Sequence, residues 1–547
     1  MHSFWTRICA VLLIIALTAL IVFTAVSGLQ IRQPAPREEA PASESSYSLG
    51  KDTLHLWYTD DKLTDYLNFI AVNYNSEHED IRVVPVLVPG QEYLESISDA
   101  SMTDEELPDL YITTNDTLEK AHLAGLAEPI TCPNHTDMRT LFPQTAINAI
   151  SYHSEYIAYP LFMECSALCY NYTYVHDWAR NYLESEIRAN LADEEKEKIL
   201  TGENTGSASS DSDASAQTTD QTGNRADGST DKKLTPEEQK ALEQKQAEEK
   251  AKIIDEYVTS QVPEEDVTEF ALKSIPVNYD GLLEFSDNFD APAGVESIFK
   301  WAVNDIFYNY FFIGDSISIG GPYGDNIYDI DIYNEDAIKG LMSYQDLNRF
   351  FSISTDDVSY QGVVEEFKEG KLVMTITTTD AVSYFANAVK NDEADIDYRF
   401  APLPDMSSDV PARSMSVTDV VAINGYSSNK EYANDFALYL CSADASVLYD
   451  WTGKVSVLKD ASFGEDTEAI DVFRKEYERS VPLPKMLETS NYWASLEMLF
   501  ASVWDGEDAN DGLKKLSEQM MLQITGEKFV EKRIEIEPEE SETEPMS

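Results

Sequence analysis

The side chains able to do chemistry in this 547-residue sequence are chiefly carboxylates: 99 Asp and Glu stand against 40 Lys and Arg, a formal charge of −59. A carboxylate can accept hydrogen bonds from two adjacent hydroxyls at once, and an ammonium can donate to a third. Two carboxylates flanking a glycosidic bond can also hydrolyse it, but abundance alone supplies no such geometry. The sequence contains no G-x-S-x-G, H-E-x-x-H or P-loop string. Its seven His show no paired ligand spacing, so neither a metal site nor a cofactor is expected. Cys165 and Cys169, four residues apart, read as small buried hydrophobes. A surface this acidic repels polyanions, which excludes nucleic acid as a default partner and leaves neutral or cationic ligands.

The elements that must position these groups begin beyond a distinctive N-terminus. Ile8 to Val26 is an uncharged apolar run that, at about 1.5 Å per residue, spans roughly 28 Å, close to a bilayer core. Residues 1–30 are therefore expected to be a transmembrane anchor or, if cleaved, a signal, with the body exported to the extracellular face. Cys9 opens the apolar run instead of closing it, so lipidation is not expected. Residues 31–51, rich in Pro, Glu and Ser, read as an extended tether.

From Lys51 to Ile130 short β-rich runs alternate with helical spacing, the pattern of an α/β layer with parallel strands. LHLWY, IRVVPVLV and PDLYIT are strand candidates, and apolar residues at 63, 66, 67, 70 and 74 predict a helix. Composition then breaks at residues 183–266, a charged insertion. Thr201 to Asp231 is Ser, Thr, Asp and Gly with no core-forming residues and is expected to be disordered. Thr235-Pro236-Glu237-Glu238 is a helix-start signature opening a Lys/Glu/Gln/Ala-rich run to about Val262. The insertion reads as a solvated helical hairpin or a docking arm, and residues 528–547 as an acidic tail, disordered from 531. Five Cys are too few for a disulfide scaffold, although the four in the body could pair.

Seven strings then occur in order: LHLWYTDDK, PDLYITTND, AGLAEPI, IAYPLFMECSALCYN, EFKEGKLVMTI, YRFAPLPD and INGYSSNKEYANDFALYL. Together they resemble the extracellular solute-binding proteins of family 1, the sugar and maltodextrin receptors of ABC importers. The resemblance covers about residues 52–180 and 274–527. It implies an α/β, two-lobe periplasmic-binding-protein-like (type II, Venus flytrap) fold. Lobe 1 would be 52–162 with about 418–470, and lobe 2 would be 163–412 with about 475–527. The hinge would run through Met163, Cys165 and Ser416, and closure would bury ligand at strand ends.

The same resemblance assigns ligand-binding residues. Asp61 and Lys62 stand where the relatives keep an Asp-Lys pair for sugar hydroxyls. Asp116 takes the matching acidic position in the next strand-to-helix loop, and Glu164 the hinge-crossing Glu. Asp305 and Phe307 fall near a Glu-Tyr pair, and Tyr492 and Trp493 near a stacking Trp, since a flat ring covers the C–H face of a sugar. After VMTI the relatives carry a stacking Trp where this chain has Thr377, Thr378, Thr379 and Asp380, so Asp380 replaces apolar contact with polar contact. Thr113 replaces an aromatic and Glu497 a cation. These departures remove the maltodextrin specificity and suit a smaller or differently decorated glycan, or a cationic solute. The expectation is a membrane-tethered carbohydrate receptor, without catalysis, delivering ligand to an ABC permease. A sensor or scaffold using the same fold, or a glycan-processing enzyme, are the alternatives.

Overall fold

Tyr159–Asn171 is a thirteen-residue strand, YPLFMECSALCYN, in which every residue but Glu164 is buried. Such a run can be satisfied only if both of its backbone edges are paired along its length, and its partners are drawn from across the chain. In this computed structural model, residues 52–90, 92–103, 107–201 and 236–536 are described. The apolar run, the tether, the Ser/Thr/Asp-rich stretch at 202–235 and the end of the tail lie outside them. Asp52 onwards forms one compact unit. Among the described residues no helix is long and apolar enough to cross a membrane.

Ten strands build the main sheet: β1 (Asp52–Tyr58), β2 (Ile81–Leu87), β3 (Leu110–Thr114), β4 (Tyr159–Asn171), β5 (Ser297–Phe299), β6 (Leu372–Thr378), β7 (Tyr398–Ala401), β8 (Met415–Ile423), β9 (Val455–Ser456) and β10 (Val481–Pro482). Their order is β2-β1-β3-β8-β4-β6-β5, with β7 and β9 on β4 and β10 on β8. β1, β2 and β3 are parallel, as the alternating strand and helix pattern predicts. β8 then enters antiparallel to β3 from more than 300 residues away.

β4 changes partners in mid-strand. Tyr159 to Cys165 pairs antiparallel with β8, and Ser166 to Tyr170 pairs antiparallel with β6. β9 pairs Phe162 and Met163, and β7 pairs Leu168 to Asn171. The expected hinge residues lie on this junction: Ser416 stands opposite Cys165, and Thr418 opposite Met163, all fully or nearly fully buried.

The helices include α1 (Thr64–Glu77), α2 (Leu118–Leu123), α3 (Tyr172–Asn190), α4 (Asp193–Thr201), α5 (Pro236–Ser260), α6 (Glu264–Lys273), α7 (Glu335–Phe351), α8 (Tyr360–Lys368), α9 (Asp380–Lys390), α10 (Lys430–Cys441), α11 (Ala445–Thr452), α12 (Thr467–Arg479), α13 (Tyr492–Trp504) and α14 (Ala509–Thr525). α12 braces the back of β4 and β8. Tyr477 Oη lies 2.6 Å from Thr418 Oγ1, Ser480 Oγ donates to Ser416 Oγ at 2.7 Å, and the Cys165 thiol donates to the Phe473 carbonyl at 3.2 Å. The four cysteines of the body are all free, Cys165 and Cys169 buried, as their reading as small hydrophobes requires.

α5, whose first described residue is Pro236, is polar nearly all round. The base of the insertion is tied down by Arg180 and His176 on Glu264, by Arg188 on Asp255 at 2.7 Å, and by Tyr182 stacked on Phe270. The tail differs from expectation, because its start follows α14 in place of leaving the body. The Ile534 amide donates to Tyr333 Oη at 2.9 Å, Asn510 donates to the Ile534 carbonyl at 2.8 Å, and Arg533 pairs with Asp508 and Asp511. Acid-rich composition hid one cation, Arg533, and two isoleucines able to hold the segment, Ile534 and Ile536 packing against the core.

α7 crosses the short turns at Tyr310–Phe312 through Gly340. A Cβ there would lie 2.2 Å from the Phe312 carbonyl oxygen. Gly340→Ala is expected to destabilise the chain by about 1–3 kcal/mol through overpacking. An unchanged urea midpoint would contradict this close approach.

Candidate ligand-binding site

Side chains alternate across a strand, so Phe162, Glu164 and Ser166 of β4 share one face. Register extends that face sideways. Val417 lies opposite Glu164, Asp419 opposite Phe162, Thr114 opposite Asp419, and Thr378 opposite Ser166. One surface across β3, β8, β4 and β6 thus presents Thr114, Asp419, Glu164, Ser166 and Thr378, and the loops leaving β1, β3 and β6 border it.

On the β1–β3 side a single ammonium gathers the acids. Lys454 follows Gly453, the left-handed C-cap of α11 at φ 72°, and precedes β9, whose Val455 pairs with Met163; this brings Lys454 beside Glu164. Its Nζ lies 3.2 Å from Asp60 Oδ2, 3.4 Å from Glu164 Oε1, and 5.0 Å from the Phe162 ring centroid. Burial works against the Lys454 charge, but Glu164, Asp419 and Asp60 outweigh it and raise the ammonium above its ordinary value. Asp116, in the loop after β3, accepts from Thr114 Oγ1 at 2.5 Å. Asp419 is pushed well above the usual carboxylate range by burial, then by Glu164, with Lys454 opposing.

On the β6 side Asp380 opens α9 and accepts from Tyr360 Oη at 2.6 Å and from Thr378 Oγ1. Tyr360 stacks on Tyr308 with centroids 4.7 Å apart and planes at 15°. Asp305 caps the turn carrying Tyr308 by accepting the Phe307 amide at 2.9 Å, and burial raises its carboxyl against that bond. Glu497, on α13, is raised by burial and by Asp305. The two sides meet at Tyr308, whose phenol is raised by burial and then by the charges of Asp305, Asp380 and Glu164.

The structure gathers Asp116, Glu164, Asp305 and Asp380 of the sequence candidates around this surface. Asp61 and Lys62 are exposed on the turn after β1, while the neighbouring Asp60 makes the ion pair. Phe307 packs edge-on against Tyr308. Tyr492 is 2% exposed, inside the core, and Trp493 is half-buried between it and Tyr310. Asp60, Tyr308, Tyr360, Asp419 and Lys454 were not singled out from sequence. Asp419 carried a usable signal, a lone carboxylate in the otherwise uncharged strand MSVTDVVAI. Lys454 carried none, because its place depends on pairing across 290 residues.

A groove of about 1030 Å³ lies beside this surface, between α9, β7 and α11, lined among others by Ser383, Asn387, Tyr398 and Asp450. Ser383 reaches the Gly453 turn that presents Lys454, so a Cβ at Gly453 would lie 2.6 Å from Ser383 Oγ.

Two measurements test this electrostatic arrangement. Lys454→Met leaves Asp60 and Glu164 without their cation and is expected to cost about 1–3 kcal/mol, less than for a fully buried pair because water reaches these carboxylates; a stability equal to the parent would contradict the pairing. Behind the sheet, Glu476 is raised from 4.5 to about 7 by burial, against the opposing pull of Arg479. The folded chain therefore holds this proton more tightly than the unfolded chain. Stability falls as pH rises between about 4.5 and 7, by at most about 3 kcal/mol from this group. Melts across that range should show Glu476→Gln with a smaller loss than the parent, and identical slopes would contradict it.

Comparison with solved structures finds this fold among sugar-binding proteins. A cyclo/maltodextrin-binding protein complexed with maltotetraose matches with a TM-score of 0.60 at 17% identity, over 88% of this chain and 100% of the other. The extracellular solute-binding protein from Staphylococcus aureus in complex with maltose gives 0.57 at 16% identity, over 86% and 98%. The maltose-binding periplasmic protein from Listeria monocytogenes in complex with maltose gives 0.58 at 15% identity, over 88% and 99%. No family profile and no curated protein sequence matches the chain. Identities this low establish the fold, a mixed α/β architecture of the kind found in periplasmic sugar-binding proteins, and leave the ligand to the chemistry of the site.

Proposed function

We propose that this chain is the extracellular receptor of an ABC importer, binding a sugar or oligosaccharide between two lobes that close about β4 and β8. The lobes are residues 52–162 with about 418–470, and 163–412 with about 475–527. The observation that carries this reading is the partner change within β4, which leaves Glu164 beside the hinge residues Met163, Cys165 and Ser416. Bending there disturbs few ladder bonds, because each half of β4 keeps its own partners.

Carboxylates on both sides of the junction accept sugar hydroxyls, and the Tyr308–Tyr360 pair offers aromatic surface at the same place. Asp116, Glu164, Asp305 and Asp380 are the proposed ligand contacts, with Asp60 and Lys454 fixing the orientation of Glu164. Asp61 and Lys62, exposed on the same turn, would reach ligand only as the lobes close. The likeness to solute-binding proteins supports an extracellular location and a binding role without catalysis. Attachment through residues 1–30 and delivery to a permease complete the reading.

A panel of mono- and oligosaccharides screened by thermal shift identifies ligands, since any solute that binds only the folded form raises the melting temperature. A ligand so found should shrink the small-angle scattering radius, and the Asp116→Ala, Glu164→Ala double variant should bind it at least tenfold more weakly. Hydrolysis of the ligand, or affinity unchanged in that variant, would overturn the reading.

A further inference from the structure

The groove beside the cleft bears on how long a ligand the chain can hold, an inference that rests on the sugar-receptor reading. Its walls come from both proposed lobes. α9 and β7 supply Ser383, Asn387 and Tyr398 from the segment 163–412, while α11 and the loop after β9 supply Asp450 and Phe463 from 418–470. A motion that closes the lobes therefore closes the groove with the cleft. None of these residues is among the sequence candidates for ligand contact.

The groove continues the cleft. Asp380, Ser383 and Asn387 follow one another at three and four residues on α9, so they share one helix face. Asp380 belongs to the cleft, and the other two line the groove. At about 1.5 Å of rise per residue Asn387 lies roughly 10 Å beyond Asp380, farther than one sugar ring reaches. On the facing wall Lys454 belongs to the cleft, and Gly453 before it meets Ser383. A side chain at Gly453 would fill this neck, its Cβ 2.6 Å from Ser383 Oγ. Beyond the neck the space widens to about 1030 Å³. Pockets for small molecules span about 300–1,000 Å³, so the groove alone has room for a ligand of ordinary size.

The lining suits hydroxyl-rich rings. Tyr398 is half-buried on β7, its ring backed by Phe385 at a centroid distance of 5.2 Å. Among the described residues its hydroxyl has no hydrogen-bond partner, and neither do the Asn387 amide and the Asp450 carboxylate, both exposed to the groove. A phenol, an amide and a carboxylate together offer the donors and acceptors that sugar hydroxyls, which both give and take, require. A ring held from behind adds apolar surface at little entropic cost.

We propose that the ligand is an oligosaccharide that leaves the cleft over the Ser383–Gly453 neck and fills the groove, its distal units resting on Tyr398 and hydrogen-bonded by Asn387 and Asp450. The test is calorimetric titration of the full chain with three pairs of short and long sugars: maltose and maltohexaose, cellobiose and cellohexaose, xylobiose and xylohexaose. In at least one pair the hexamer is expected to bind at least tenfold more tightly than its dimer. Tyr398→Ala with Asn387→Ala should bring the hexamer down to the affinity of the dimer. Where that variant fails to fold, Asn387→Ala with Asp450→Ala, both at exposed positions, should cut the advantage about threefold or more. The Asp116→Ala, Glu164→Ala variant of the cleft should instead weaken both members of a pair.

Equal affinity for dimer and hexamer in every pair that binds overturns the extension and leaves the sugar reading standing. An advantage of the hexamer that survives in the groove variants overturns it as well, because the added length then lies elsewhere. Binding of none of the six overturns the extension together with the sugar reading.

Discussion

A thirteen-residue buried strand has to find backbone partners for both of its edges, and in this chain no single neighbour is long enough to supply them. β8 and β9 serve the first half of β4, and β6 and β7 the second. The rest of the architecture follows from that division. Segments from the middle and end of the chain must return to the same strand, so long-range pairing dominates and the sheet is completed only when residues hundreds of positions apart meet. The change of partners falls at the Cys165–Ser166 step.

Electrostatics at that step is deliberately unbalanced. Two unit charges about 4 Å apart interact by about 4 kcal/mol at an effective dielectric near 20, so one lysine between two carboxylates can hold its own cluster together. It cannot also neutralise Asp116, Asp419, Asp305, Asp380 and Glu497. Burial raises Asp419 and Asp305 for the same reason that it raises Glu476: charge without full hydration or a full set of donors is expensive. Glu164 and Asp419 share one face of the sheet, whereas Glu476 stands behind it on α12 and Asp305 caps a turn beside it.

The inserted helices and the tail show how acidic segments are held without a core of their own. α5 is polar around most of its circumference and depends on anchoring at its base, where α3 and α6 combine ion pairs with the Trp178, Tyr182 and Phe270 rings. The segment at 531–536 is kept in place by Arg533 and by backbone bonds to buried polar side chains. Composition identifies both segments as solvated. Whether a solvated segment lies along the body depends on a few hydrogen bonds that composition does not describe.

Alternation of apolar residues made the first three strands and α1 legible, because β and helical periods depend on which residues face a nearby core. The lone acids Glu164 and Asp419, each inside an otherwise uncharged strand, were legible as anomalies, although only Glu164 was singled out. Tyr492 shows the converse: an aromatic beside Trp493 reads as a stacking surface, but helix α13 turns its ring into the core and leaves Trp493 partly exposed. Asp61 and Asp60 differ by one residue, and the turn after β1 alone decides which carboxylate meets Lys454.

What the sequence determined by itself was local: period, caps, an acidic charge excess and the absence of nucleophile or phosphate-binding strings. What only the tertiary structure decided was which carboxylates share a face and which cation stands among them, since cross-strand register and the return of Lys454 to Glu164 depend on contacts hundreds of residues apart.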